Sequence, residues 1–177
     1  MEINQKEHIF SDIMIKILGN YENQALHYFA IIATSLIIRE TTEEESQQIP
    51  TACIAIAKNS PLVSMLYNTK FTDTLNEKQL TFLFFHEIFH IILMSNERAR
   101  LHNHDPMLVN ITHDMVINST LLEYYPKMVE APHPGMPIIP PKYKGLRNYE
   151  SLIEDLSKNA QDSGGIEEYL KKNNNEI

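Results

Sequence analysis

Apolar residues fall along this chain in blocks whose period changes from helical to extended and back. Over residues 3–18 they recur at Ile9, Phe10, Ile13, Met14 and Ile17, the spacing of an amphipathic helix that Gly19 closes. Residues 21–39 repeat a helical pattern with more apolar content, then give way to an acidic loop at 41–48. In that loop Glu43-Glu44-Glu45 reads as a solvated turn. Residues 51–57 and 62–67 are apolar runs of strand length, bounded by Pro50, Asn59 and the turn that follows. One of them is expected to offer an exposed sheet edge. From Leu80 to Met94 the chain reads LTFLFFHEIFHIILM, apolar on every side once H-E-H is set apart, and a helix apolar all round is a buried one. Asn76 with Gln79 three residues on predicts its capped start, and Ser95-Asn96 its end. Asp105-Pro106 predicts a second long helix, with an N-cap and then proline in first position, running to Pro126.

Downstream the pattern weakens. Six of the nine prolines lie between Pro126 and Pro141, a stiff irregular stretch expected to wrap the core rather than line a cleft. Beyond Ser157 the chain turns polar, with Gly164-Gly165 and Asn173-Asn174-Asn175, and residues 166–172 are expected to form a loose helical turn or two. No internal repeat is visible. The expected organisation is one domain over 1–156 and a flexible tail over 157–177. The expected fold class is α+β, predominantly helical, with a central buried helix and a small sheet.

The chemistry sits on the most apolar helix. His86 and His90 are four apart, so both imidazoles lie on one face about a turn from each other, where they can grip one metal ion. Glu87, beside the first histidine, reaches the ion's open side as a general base in the H-E-x-x-H pattern. Burying two imidazoles and a carboxylate is costly unless they are paired or bound to metal. Chance core histidines satisfied by hydrogen bonds would also match the pattern, but the buried setting favours the metal. A catalytic zinc takes three protein ligands and water. On the following helix Asn110, Asp114 and Asn118 recur every four residues as a polar stripe. The stripe offers Asp114 as third ligand, with Asn118 or Asn110 orienting it from behind. The alternative is His113, intrinsically the better zinc ligand but turned about 100° away towards Val109, Val116 and Ile117.

The run from Leu66 to Leu122 resembles the metallopeptidase domain of bacterial proteins that also carry a von Willebrand factor A-like domain and are often encoded near MoxR-type AAA ATPases. The matching pieces are Leu66-Tyr67-Asn68, Phe71, Leu75, Leu80 and HEIFHIIL. They continue with Arg98, Asp105-Pro106, Leu108, Asn110, Asp114, Val116 and Asn118. Lys142-Tyr143-Lys144-Gly145-Leu146 and the short helix expected after it at 149–156 resemble that domain's end. The similarity covers roughly residues 24 to 156, with H-E-x-x-H and Asp-x-x-x-Asn its specific motifs. The resemblance implies a zincin-like fold and peptidase activity, with a AAA ATPase or A-like domain as possible partner. It also favours Asp114 as ligand, because the family usually has a small residue before the aspartate. This chain departs by placing His113 there. Ending at Ile177, it is also expected to lack the A-like domain.

These residues imply a mechanism. His86, His90 and Asp114 would hold Zn2+, which the ligand set favours over manganese or iron, and water would take the remaining position. Glu87 would take that water's proton and pass it to the leaving amine. The oxyanion needs a second electrophile, for which Tyr143, Tyr149, His133 and His113 are open candidates, each equally readable as a surface or packing residue. A peptide or protein substrate leads. The alternatives are a non-catalytic module in which the metal staples two helices or the site recruits a AAA ATPase, and a metal-dependent amidase. A fourth ligand from His113 would favour the stapled form; an open position beside a sheet edge favours the peptidase.

Composition changes the picture little. A net charge of −8 argues against binding nucleic acid or anionic membrane. Cys53 is the single cysteine, so there is no internal disulfide, and a buried thiol on a strand is expected. The N-terminus shows no basic region followed by an apolar core, and the apolar stretch at 29–38 is too short to span a bilayer, so a cytoplasmic location is expected. His102 and His104 lie in the loop between the two site helices and are expected in solvent; His8 and His27 are expected at the surface of the N-terminal helices.

Overall fold

The computed structural model describes residues 10, 12–16, 24–56, 62–95, 98, 104–134, 136–140 and 149–163. Residues 12–16 are helical, as the N-terminal periodicity predicts, and Phe10 and Ile13 are buried. The second predicted helix is shorter than expected. Helix α1 spans Gln24–Thr34 and strand β1 then takes Ile37–Glu40, so the 21–39 reading is corrected at its end. The cause is local. Thr34 and Ser35 turn their hydroxyls back onto the Ile31 and Ile32 carbonyls (2.7 and 2.6 Å), and the Ser35 and Leu36 amides close tight turns onto Ile32 and Ala33. Hydroxyls that satisfy the last carbonyls end a helix.

Three strands form the sheet in the order β1-β3-β2. Central β3 (Val63–Tyr67) pairs parallel with β1 and antiparallel with β2 (Ala52–Ile56). The Asn68 amide donates to the Thr51 carbonyl at 2.8 Å, which sets the phase of the β2–β3 ladder. Because paired and unpaired residues alternate in an antiparallel ladder, the peptide groups of Ala52, Ile54 and Ile56 face outward along an edge that no further strand covers among the described residues, with Ile54 bonded to Glu87. Between β1 and β2 the acidic loop holds the one-turn helix α2 (Glu45–Gln48). Glu45 is not merely solvated there. It takes a two-pronged bond from Arg39 (2.8 and 2.8 Å) and another from the Thr42 amide, which together hold its carboxyl down at about 2.

After β3 and the single turn α3 (Thr69–Thr72), helix α4 (Glu77–Ile92) runs through the middle of the molecule. Leu80–Phe85, Glu87 and Ile88 are all buried on it, as a helix apolar all round predicts, but the expectation fails at its end, where Ile92 and Met94 are exposed. Met65 and Tyr67 of β3 pack on one side of it, with Phe10 against Tyr67 (5.1 Å between rings) and Phe29 against Phe85 (5.3 Å). Helix α5 (Pro106–Tyr124) is held between two neighbours. Its Ile117 and Leu121 enter the α4 core, while Leu108, Val109, Met115 and Val116 meet Leu152, Ile153 and Leu156 of α6 (Tyr149–Ser163). Helix α6 therefore runs well past the expected 149–156. Each large side chain buried in these clusters contributes about 1.5–3 kcal/mol, so α4 is fixed in place from several sides.

The proline-rich stretch wraps the core as expected. Val129 is buried, and the Ile139 amide bonds to Ser119 Oγ at 2.9 Å. It also lines a cavity through Pro132, His133, Met136 and Pro137, which wrapping alone did not anticipate. The chain is thus mostly helical with a small three-stranded sheet. Among the described residues no helix is long and apolar enough to cross a membrane.

Candidate metal centre

Both site helices start where their caps dictate. Asn76 Oδ1 accepts from the Gln79 amide and Gln79 Oε1 from the Asn76 amide, each at 3.0 Å, a reciprocal capping box. Asp105 accepts from the Met107 and Leu108 amides (2.8 and 3.2 Å) with Pro106 in first position. With both starts fixed, the two helices cross so that His86, His90 and Asp114 converge.

The convergence has the dimensions of a coordination face. His86 Nε2 and His90 Nε2 are 3.0 Å apart, and Asp114 Oδ1 lies 3.4 and 3.2 Å from them. Tetrahedral zinc with bonds of about 2.0–2.1 Å separates its ligand atoms by roughly 3.3 Å. Asp114 Oδ1 is buried and attracts both imidazoles across these gaps, but among the described residues it makes no well-aligned hydrogen bond. A buried carboxylate oxygen without an aligned donor is costly; a cation between it and the two imidazole nitrogens would satisfy it. The donor set therefore fits a divalent metal, and among the described residues this is the cluster of three that could hold one.

Hydrogen bonds behind the ligands aim them. Asn118 is buried, and its Nδ2 donates to the Pro137 carbonyl at 2.8 Å, an oxygen that can only accept. That fixes the amide's orientation and turns Asn118 Oδ1 to His86 Nδ1, also at 2.8 Å. An acceptor there requires the proton on Nδ1, leaving the Nε2 lone pair for the metal. Asn118 thus orients His86, not Asp114 as the stripe had suggested. Asn110 Nδ2 bonds Asp114 Oδ2 at 3.3 Å and takes the expected part. His90 Nδ1 meets Ser95 Oγ at 3.2 Å. Ser95 reaches it because Met94 adopts a left-handed φ of 51° at the helix end, a conformation that costs about 1–2 kcal/mol for a non-glycine residue. Sequence had marked Ser95 only as a helix terminus and gave no signal for this contact.

The charges are strongly coupled. Burial resists ionisation of Asp114, but His86 and His90 outweigh it and hold the carboxyl down at about 2. Burial also opposes protonation of His86, yet Asp114, Glu87 and Asn118 push its pKa up. Glu87 is buried and pushed up by that burial, with His86 and His90 pulling the other way. The Ile54 backbone also bonds its carboxylate, tying Glu87 to the β2 edge. Cys53 is half-buried on the same strand, and burial raises its thiol, which keeps it protonated.

His113, the alternative third ligand, lies outside the triangle. Its ring stacks on Tyr149 at 3.9 Å and 5°, and Arg98 sits over the other ring of that stack, 5.9 Å from the Tyr149 centroid. The 100° step between neighbours on a helix turns one inward and the other aside. Burial, His90 and Arg98 lower His113 to about 4, and its Nε2 has no partner among the described residues. Of the other candidates, Tyr149 is buried in the stack and His133 is exposed at a cavity rim. Tyr143, His8 and His102 lie outside the described residues, as does the side chain of His27; His104 lines neither cavity.

Two cavities meet at the cluster. The larger, about 390 Å³, opens between the β2 edge and α5, bordered by Cys53, Ile54, His90, Ser95 and His113. The smaller, about 140 Å³, lies under the proline-rich stretch. His86, Glu87, Asp114 and Thr51 border both.

A His-Glu-x-x-His helix, a carboxylate from the next helix and an open cavity in front of them define an α+β domain with a candidate metal site. The chain belongs to the family described as "Putative metallopeptidase domain", whose model matches residues 29–176. No curated protein and no solved structure matches it.

Proposed function

We propose that the protein is a zinc-dependent peptidase of zincin-like construction. The observation that carries this reading is the triangle of His86 Nε2, His90 Nε2 and the buried Asp114 Oδ1, bordered by a cavity that Glu87 also borders. When bound, zinc supplies a Lewis acid that draws the pKa of a water towards 7. Glu87 is the general base. Burial raises its carboxyl towards the range in which one group can both accept a proton and return it to a leaving amine.

His113 takes the part of electrophile. Its ring is neutral at pH 7, held flat by Tyr149, and carries a nitrogen with no other partner, so it can donate one N–H to a developing oxyanion. An extended peptide adds to the outward edge of β2, where Ala52 and Ile56 present their peptide groups on either side of the Ile54 amide that Glu87 holds. Glu87, bonded to Ile54, then stands beside the substrate backbone.

The test compares zinc-loaded wild type, Glu87→Gln and His90→Ala on an unbiased peptide mixture, with zinc content measured in parallel. Glu87→Gln is expected to keep zinc while losing about 10²-fold or more of its turnover; His90→Ala is expected to lose both. Equal turnover by Glu87→Gln and wild type rules out Glu87 as the base.

A further inference from the structure

The smaller cavity has no part in the chemistry just described, yet it opens on the same three residues. Its walls are Phe71, Phe82, Leu83, Pro132, Met136 and Pro137, an apolar surface that meets His86, Glu87 and Asp114 at one end. Among the described residues no lysine or arginine lines it, so an acidic side chain would be buried there without a fixed cation, which is costly. The carboxylates that border it, Glu87 and Asp114, sit at the end shared with the histidines, which already engage them. Its volume of about 140 Å³ is close to that of an engineered protein cavity of roughly 150 Å³ that takes up benzene. A leucine, isoleucine, methionine or phenylalanine side chain is of that size.

Strand β2 fixes which side of the cut this is. The strand runs from Ala52 to Ile56; Thr51 borders both cavities, whereas Cys53 and Ile54 border only the larger. The smaller cavity therefore lies beyond the start of the strand. A peptide pairing antiparallel, the more stable arrangement, would run from the Ile56 side towards Thr51. Its carboxyl-side portion would then lie over the smaller cavity. Resting on the peptidase reading above, we infer that this cavity is the specificity pocket, taking a medium-sized apolar side chain immediately after the scissile bond. The segment carrying Pro132, Met136 and Pro137, whose carbonyl also anchors Asn118, is then the wall that selects substrate.

Two readouts test this. In the first, the cleavage sites of zinc-loaded wild type on a proteome-derived peptide mixture are mapped by mass spectrometry. Leucine, isoleucine, methionine and phenylalanine should be enriched directly after the cut, and Leu83→Trp or Met136→Trp, which fill the cavity, should shift the preference to glycine and alanine. In the second, leucyl-alanine amide and glycyl-alanine amide are titrated into zinc-loaded Glu87→Gln protein by calorimetry. The leucyl compound should bind on the order of tenfold to a hundredfold tighter, an advantage Met136→Trp removes. Met136 is half-buried in an irregular segment, so that variant keeps the test valid if Leu83→Trp fails to fold. Cleavage with no preference after the cut, or with the apolar residue before it, overturns the assignment, as does equal binding of the two amides. Leucyl-selective binding without any cleavage supports the pocket while sinking the peptidase reading, so the two failures are distinguishable.

Discussion

Replacing Asn118 with alanine removes the one group that decides which nitrogen of His86 carries its proton. In the native site the buried amide spans two bonds of 2.8 Å, one to His86 Nδ1 and one to the Pro137 carbonyl. Without it nothing holds the proton on Nδ1, the imidazole gains a second tautomer, and its ring is free to rotate away from the cluster. Loss of a hydrogen-bond partner behind a metal ligand weakens metal affinity about 10- to 100-fold, or roughly 1.4–2.7 kcal/mol. The metal-free protein also loses two buried bonds worth about 1 kcal/mol each, so its unfolding temperature should drop by about 4–8 °C. The assay is zinc titration against a chelator of known affinity, with thermal unfolding of the metal-free protein alongside. Asn118→Asp separates the two effects, because it keeps an acceptor for His86 but cannot donate to Pro137. Its zinc affinity should stay closer to wild type than that of Asn118→Ala, while its stability falls at least as far. If Asn118→Ala binds zinc within threefold of wild type while its unfolding temperature falls, the amide serves only to anchor the proline-rich segment and the tautomer argument is wrong.

Two further outcomes follow from the ionisation of the site. His86 is pushed above its ordinary value of 6.5 in the metal-free fold, so it keeps its proton to higher pH than a free imidazole and zinc must displace it. Zinc affinity should fall by up to about tenfold per pH unit as pH drops through that raised pKa. The metal-free fold behaves oppositely: its gain from charged His86 is full below 6.5 and lost as pH rises through the folded value. Calorimetric titration in two buffers of different ionisation heat, from about pH 5.5 to 8.5, reads the displaced proton; pH-independent affinity would contradict it. His113→Phe keeps the stack on Tyr149 and removes the partnerless nitrogen. Turnover should fall about 10²-fold while the metal-free fold is unchanged or stabilised by about 1 kcal/mol. The wild-type histidine, lowered to about 4, binds its proton more readily unfolded, so wild type alone should lose stability from this ring as pH falls from 6.5 towards 4. Retained turnover would remove His113 from the reaction.

The two site helices were legible because their punctuation is chemical and local. Asn76 with Gln79, and Asp105 with Pro106, sit where their hydrogen bonds form, and the four-residue recurrence of Asn110, Asp114 and Asn118 faces the cluster as a stripe should. The helical step turned Asp114 and His113 different ways but left both open as third ligand; the fold brings Asp114 to the two imidazoles. Strand β1 was not legible. Ile37–Glu40 continues an apolar helical pattern, and what makes it a strand is parallel pairing with Ser64–Tyr67, a partner far along the chain that no local period announces. The length of α6 was hidden for a related reason. Its second half is polar, and a polar run on an exposed helix face reads the same as a loop. The Asn159 side chain, bonded back to the Asp155 carbonyl at 2.8 Å, lies along that continuation.

The parts of the site that sequence did not reveal share one property: they act through backbone or through a single hydroxyl. The Pro137 carbonyl orients Asn118, the Ile54 backbone holds Glu87, and Ser95 Oγ reaches His90 from a residue just past a left-handed turn. Every residue has a carbonyl, so none of these contacts alters the pattern of side chains. Yet they join the metal-binding helix to the β2 edge on one side and to the proline-rich segment on the other. A substitution in that segment that shifts Pro137 should therefore reach His86 through Asn118. The wall that bounds the apolar cavity and the carbonyl that sets the histidine tautomer are one stretch of chain, so substrate preference and zinc affinity should change together when it moves.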